Sequence, residues 1–142
     1  MAFLAKLLLG SGTFKPEVRA ALESDGIVTI EEGLPGSVRY RRFKAPGKRF
    51  YGKVTLERLA LGISEQRLSV YCRSGRVKLI DSPFSEPRLS AVEVSLFDDE
   101  TISLRIDYDR VDVPEVSGEI EIRAKTPNAA AIMEQLRARS NP

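Results

Sequence analysis

From Ile27 to Arg123 the chain alternates apolar and polar residues with period two, in runs too closely spaced for crossover helices. Leu68, Val70 and Cys72 alternate with Ser69, Tyr71 and Arg73, and Val92, Val94 and Leu96 with Ala91, Glu93 and Ser95. Ile102, Leu104 and Ile106 alternate with Ser103 and Arg105, and Ile120 and Ile122 with Glu119, Glu121 and Arg123. Successive side chains of a strand point to opposite faces, so the pattern means a sheet with one buried and one wet face. Such sheets are antiparallel, and short connections leave room only for hairpins. Strands are predicted over 27–31, 37–43, 49–62, 67–73, 76–81, 89–97, 100–106 and 118–124. Within 49–62 the phase slips: Val54 and Leu56 fall on one parity, Leu59, Leu61 and Ile63 on the other. That slip predicts a bulge or turn at 55–58. Ser74-Gly75 predicts a two-residue hairpin.

Helices are predicted only at the ends. Phe3, Leu4, Leu7 and Leu8 share one face of a short N-terminal helix, too short to span a bilayer, which needs about 20 residues. That stripe packs on its own domain or lies against a membrane surface. A second helix opens at Lys15-Pro16-Glu17, presents Val18, Ala21 and Leu22, and ends at Asp25-Gly26. At the other end Thr126 is a good N-cap, Pro127 suits the first helical position, and Ala129, Ile132, Met133 and Leu136 form an apolar stripe. The expected architecture is therefore mainly β, an antiparallel barrel or sandwich of about seven to eight strands with a C-terminal capping helix and two short N-terminal helices. Residues 1–25 are expected to form a helical extension packed on the domain, and 26–142 the domain itself.

At 142 residues the chain suits one domain, and 42% apolar with 30% charged residues is a globular composition. There is no His, which excludes Ser-His-Asp and Cys-His machinery, imidazole bases and His-containing metal sites. A single Cys, Cys72, excludes an intrachain disulfide and a thiolate zinc cluster, and agrees with a reducing cytoplasm. Cys72 alternates inward with Leu68 and Val70, as a small core residue does. No P-loop, nucleophile elbow or dinucleotide fingerprint is present, so no catalytic residues, metal or cofactor are expected.

Charge is where the sequence speaks. Residues 33–53 hold seven cations and no acid: Arg39, Arg41, Arg42, Lys44, Lys48, Arg49 and Lys53. Tyr40, Phe43, Phe50 and Tyr51 are interleaved with them about a turn at Ala45-Pro46-Gly47. The period places Arg39 and Arg41 on one face of the first strand of this hairpin and Tyr40 and Arg42 on the other. Guanidinium forks and lysine charges suit phosphorylated lipid head groups or other anions. Aromatics among cations also suit single-stranded nucleic acid. Residues 93–121 carry ten acids against two arginines, and this acidic stretch could meet the basic hairpin of a second copy. Within it, Asp107-x-Asp109-x-x-Asp112 departs from a calcium loop, because Val111 stands at the fifth position and no glycine at the sixth.

The order of short antiparallel strands and one closing helix resembles the small bacterial members of the pleckstrin-homology-like superfamily. The turn Ser64-Glu65-Gln66-Arg67-Leu68 leading into Val70-Tyr71 is similar to a Ser/Thr-x-x-Arg-Leu turn found there, and Thr55-Leu56-Glu57-Arg58-Leu59 is a second candidate. The chain lacks the Trp usual in the helix of eukaryotic members. The resemblance implies seven strands and a binding scaffold for phosphoinositides, peptides or other proteins, without catalytic residues. The functional expectation is a non-catalytic binding module. It would contact a protein partner or an anionic phospholipid surface through hairpin 39–53, with single-stranded nucleic acid as the alternative.

Overall fold

The computed structural model describes residues 12–111 and 113–140. Its elements run α1 (Pro16–Ser24), β1 (Ile27–Ala45), β2 (Lys48–Phe50), β3 (Lys53–Ser64), β4 (Arg67–Cys72) and β5 (Val77–Pro83). There follow β6 (Val92–Asp98), β7 (Thr101–Asp107), β8 (Ser117–Lys125) and α2 (Ala129–Ser140), with 3-10 turns at Pro87–Ala91 and Tyr108–Arg110. The eight strands form one antiparallel sheet in the order β5-β4-β3-β1-β8-β7-β6, and β2 pairs with the far end of β1. The sheet is mainly hairpins, as the short connections require. The barrel expected from the sequence does not close: β5 and β6 are the edges of the sheet, and among the described residues no pairing joins them.

Three expectations about the strands are corrected. The runs 27–31 and 37–43 are one strand of 19 residues, whose pairing with β3 shifts between Ile27 and Thr29 and again between Glu31 and Leu34. Irregularities in the ladder, not a chain break, absorb the interruption. The phase slip in β3 is real, but nothing absorbs it. Pairing runs without a shift from Leu34–Leu59 to Tyr40–Lys53, so Val54 and Leu56 face away from the core. The turn at Ser74-Gly75 has four residues, since Cys72 pairs with Val77, and Arg73, Ser74 and Gly75 all take positive φ. The turn at Ser64 forms as expected: the Gln66 N–H donates to Ser64 Oγ at 3.2 Å. Its second candidate, Thr55–Leu59, lies inside β3.

One face of the sheet, the inner face, buries Val38, Leu59, Leu61, Ile63, Leu68, Val70, Cys72, Ile102, Leu104 and Ile122 in a single core. From α2, Ala129, Ile132 and Leu136 close on that core with Met133 partly buried beside them, the stripe expected from their spacing. The regular helix begins at Ala129, two residues later than Pro127 suggests, and the Asn128 N–H donates to Thr126 Oγ1 at 3.1 Å in the turn that opens it. Burial pushes the Cys72 thiol up to about 12, with the Glu57 charge adding to it, so this thiol stays protonated.

The opposite, outer face is covered at one end by α1. Phe14 and Leu22 pack on Ala60 and Tyr71, with Val18 and Ile30 alongside, whereas Ala21, expected on the same stripe, faces solvent. Asp81 on β5 accepts from Tyr71 Oη at 2.5 Å, Arg67 Nη1 at 2.8 Å and Ser69 Oγ at 3.0 Å, and Arg67 also reaches Asp25 at the end of α1. Burial alone would raise Asp81, but the hydrogen bonds from Tyr71, Arg67 and Ser69 outweigh it and hold the carboxyl below its usual range.

A carboxyl depressed in the folded state contributes stability at pH values above its unfolded pKa, and that contribution is lost as pH falls through the folded value. Thermal unfolding should therefore show a melting temperature that is steady above about pH 5 and falls below about pH 4. Asp81→Asn should lower stability near neutral pH by about 2 kcal/mol and flatten part of that acid decline.

Candidate functional site

The basic hairpin projects from the sheet as β1–β2. Ala45 pairs with Lys48 around Pro46-Gly47, and Gly47 takes φ +74°. Pro followed by a left-handed Gly is the arrangement of a type II turn. Ahead of this turn β1 carries a bulge at Arg42, whose φ is +48°, and its pairing with β8 shifts between Arg41 and Lys44. The extra residue resets the alternation. Phe43, not Arg42, takes the inward position after Tyr40, and Arg42 is exposed, which corrects the expectation that Tyr40 and Arg42 share a face. Gly118 of β8 makes the bulge possible: with φ +90° it lies so close that a Cβ there would sit 2.2 Å from the Arg42 carbonyl oxygen.

With that geometry the hairpin has two unlike faces. Inward, Tyr40, Phe43, Phe50 and Tyr108 pack ring to ring, with Tyr40–Phe50 centroids 4.9 Å apart and Phe43–Tyr108 5.9 Å apart. Lys53 lies over the Phe50 ring at 4.3 Å. Three of the four interleaved aromatics are thus core, and only Tyr51, 73% exposed, faces solvent. Outward stand Arg39 and Arg41, then, past the bulge, Lys44 with Arg49 paired across from it.

The cations differ sharply in their company. Along β1–β8, Arg39 pairs in register with Glu121 and Arg41 with Glu119. Arg41 bonds Glu119 at 3.0 Å and Glu121 at 3.2 Å. The acidic run continues the network with Arg105–Glu119 at 3.0 Å, Arg105–Glu93 at 2.7 Å and Arg123–Glu121 at 3.2 Å. Burial would raise Glu121, but the Ser103 hydrogen bond and the Arg123 and Arg41 charges hold it low. So the two blocks of opposite sign meet within one molecule, across neighbouring strands. Beyond the bulge the partner of Lys44 is Ser117, and the acids are left behind. Among the described residues Arg39, Arg42, Lys44, Lys48, Arg49 and Lys53 make no ion pair. A cleft of about 670 Å³ lies at the tip, lined by residues 44–49 and by Glu115, Val116 and Ser117; Glu115 is the one carboxylate in its wall.

The candidate contacts Phe3, Leu4, Leu7 and Leu8 lie outside the described residues. The chain reaches the described fold at Gly12, whose carbonyl accepts from the Gly33 N–H at 2.8 Å, beside Arg58 on the outer face. In the acidic loop, Asp107 accepts from the Asp109 N–H and Asp109 from the Gly118 N–H, so these carboxylates brace turns. Among the described residues no acidic or Cys cluster is arranged to hold a metal. Little in the residue pattern points to Glu57, which is buried on the inner face and held by the Arg73 guanidinium at 3.2 and 3.3 Å. Its only trace is an acid at the parity of Leu59 and Leu61, since its partner lies across a turn. Among the described residues no helix is long and apolar enough to cross a membrane. No family model and no curated protein matches this chain.

The fit of Gly118 under the bulge is testable. Gly118→Ala should cost about 3 kcal/mol in denaturant unfolding, from the left-handed backbone and the contact with Arg42 together. Gly47→Ala, with open space around its Cβ position, should cost only about 1 kcal/mol.

Proposed function

We propose that this chain is a non-catalytic binding module that is recruited to anionic membrane surfaces through the hairpin 39–53. The observation that carries the reading is the separation of paired from unpaired cations. Arg41, Arg105 and Arg123 are engaged by carboxylates, while Arg39, Arg42, Lys44, Lys48 and Arg49 have no ion-pair partner among the described residues and stand on a projecting hairpin with a cleft at its tip. Unpaired surface cations attract an anionic lipid surface by ~1 kcal/mol each. A stacking platform for single-stranded nucleic acid needs outward rings, and Tyr40, Phe43 and Phe50 are turned inward. That favours the lipid surface.

A pleckstrin-homology-like scaffold suits this role. The three-residue β2 is an outgrowth of the β1–β3 hairpin, and setting it aside leaves seven strands and a C-terminal helix, the element count that the resemblance implies. The Ser64–Leu68 turn between β3 and β4 supports the same reading. A fold assigns no ligand by itself, so the hairpin charge, not the scaffold, bears the functional argument.

Sedimentation with vesicles of phosphatidylcholine alone, and of phosphatidylcholine with phosphatidylserine at about two to one, tests the proposal. Binding should be confined to the anionic vesicles and should weaken as salt is raised. The combined variant Lys44→Ala, Lys48→Ala, Arg49→Ala should lose about a hundredfold in affinity, at ~1 kcal/mol per cation. Arg105→Ala, in the paired network, should leave binding near the wild-type value. Binding to a single-stranded oligonucleotide or to an acidic protein in the absence of vesicle binding overturns the membrane reading.

A further inference from the structure

Val54 and Leu56 are exposed aliphatic residues near the start of the regular strand β3, Leu56 to 73%. The uninterrupted β1–β3 register puts them on the outer face: Val54 pairs with Arg39 and Leu56 with Ser37. Lys44 and Arg49, which pair with one another past the bulge, project from that same face, because their neighbours Phe43 and Phe50 fill the inner one. Two aliphatic side chains and three unpaired cations therefore share one side of the hairpin. At 73% exposure most of the Leu56 side chain is open to solvent. No part of α1 covers it, since that helix packs on Ala60 and Tyr71 farther along the sheet.

We infer that the module meets the bilayer with its outer face, Val54 and Leu56 entering the interface between the cations Arg39, Lys44 and Arg49, so that β1 and β3 lie along the membrane and the Pro46-Gly47 tip does not point into it. The inference rests on the membrane reading above and adds to it an orientation and an apolar contact. The occupant follows from the composition of the face. An anionic interface offers negative charge outside and hydrocarbon just beneath, and cations beside short aliphatic side chains complement both. The apolar pair is also continuous with the charged contact, because Arg39 stands directly across from Val54. The tip itself carries Pro46 and Gly47 with Lys48, and has no large apolar side chain to insert.

The chain has no Trp, so one introduced indole is an unambiguous reporter. Leu56→Trp is placed in the full chain and titrated with phosphatidylcholine vesicles, with and without phosphatidylserine. Glu134→Trp, on the exposed side of α2, serves as the comparison. The L56W emission should shift to the blue and become shielded from an aqueous quencher with the anionic vesicles only, and E134W should not change. Val54→Trp gives the same reading if L56W does not fold. Leu56→Ser should weaken vesicle affinity about tenfold while leaving the salt dependence as in the wild type, since apolar burial is lost and no charge is. Sedimentation with anionic vesicles while both outer-face reporters stay in water overturns the orientation and leaves the membrane reading standing. A blue shift of E134W in place of L56W does the same. Absence of sedimentation for the wild-type chain overturns both.

Discussion

Everything in this fold hangs on the double pairing of β1. It is the one strand that joins the two halves of the sheet, bonded to β3 along one edge and to β8 along the other. On its inner face Val38 and Tyr40 extend the core, and backbone groups there have partners only because both neighbouring strands are present. A strand so constrained leaves its sequence little freedom, yet residues 39–44 break the apolar–polar rule with four cations in six positions. The strand accommodates them in two ways. While β8 supplies Glu119 and Glu121, Arg41 on the outer face is neutralised where it stands. Once β8 runs out of acids, the bulge at Arg42 turns the surplus outward.

The bulge thus does more than bend the strand. Without it, strict alternation would turn Arg42 inward, toward the ring cluster of Tyr40, Phe50 and Tyr108. Desolvating such a charge costs several kcal/mol, far above the one or two that a left-handed non-glycine residue costs. The comparison explains why the strained conformation is the favoured one. It also explains Gly118, since the displaced Arg42 carbonyl comes within the space a Cβ would fill. A local strain in β1 and a glycine in β8 are two halves of one solution, and the unpaired charge at the hairpin is its consequence.

How much of this could be read from residues alone depends on the range of the interaction. Period-two alternation located β4 to β8, because each strand's own residues carry that signal, but it divided β1 into two runs and merged β2 with β3. The stripe Ala129, Ile132, Leu136 located α2 for the same reason. The basic segment was legible as a charged hairpin with its Pro-Gly turn. What sequence did not reveal was which cations would be neutralised, since the Arg41–Glu119 pair joins positions 78 residues apart. Nor did it reveal the bulge, the open edges at β5 and β6, or the Glu57–Arg73 pair, all set by which strands become neighbours.

The parity slip in β3 shows how a local rule can mislead. Val54 and Leu56 on the wrong phase were reason to expect an extra residue, because apolar side chains are assumed to share one buried face. That assumption is sound for the cost of a single exposed methylene, but it weighs too little against the ladder. A bulge at 55–58 would leave Leu59, Leu61 and Ile63 buried in phase with β4, but it would break the unshifted β1–β3 pairing between Pro35–Arg58 and Tyr40–Lys53 and leave backbone groups there unpaired. Leaving two aliphatic side chains partly in water forgoes a few kcal/mol, and the unbroken ladder keeps every backbone hydrogen bond of that stretch in place. The ladder wins, and apolar residues of opposite phase in an unbroken strand report a second surface, one that α1 and the other described elements leave exposed.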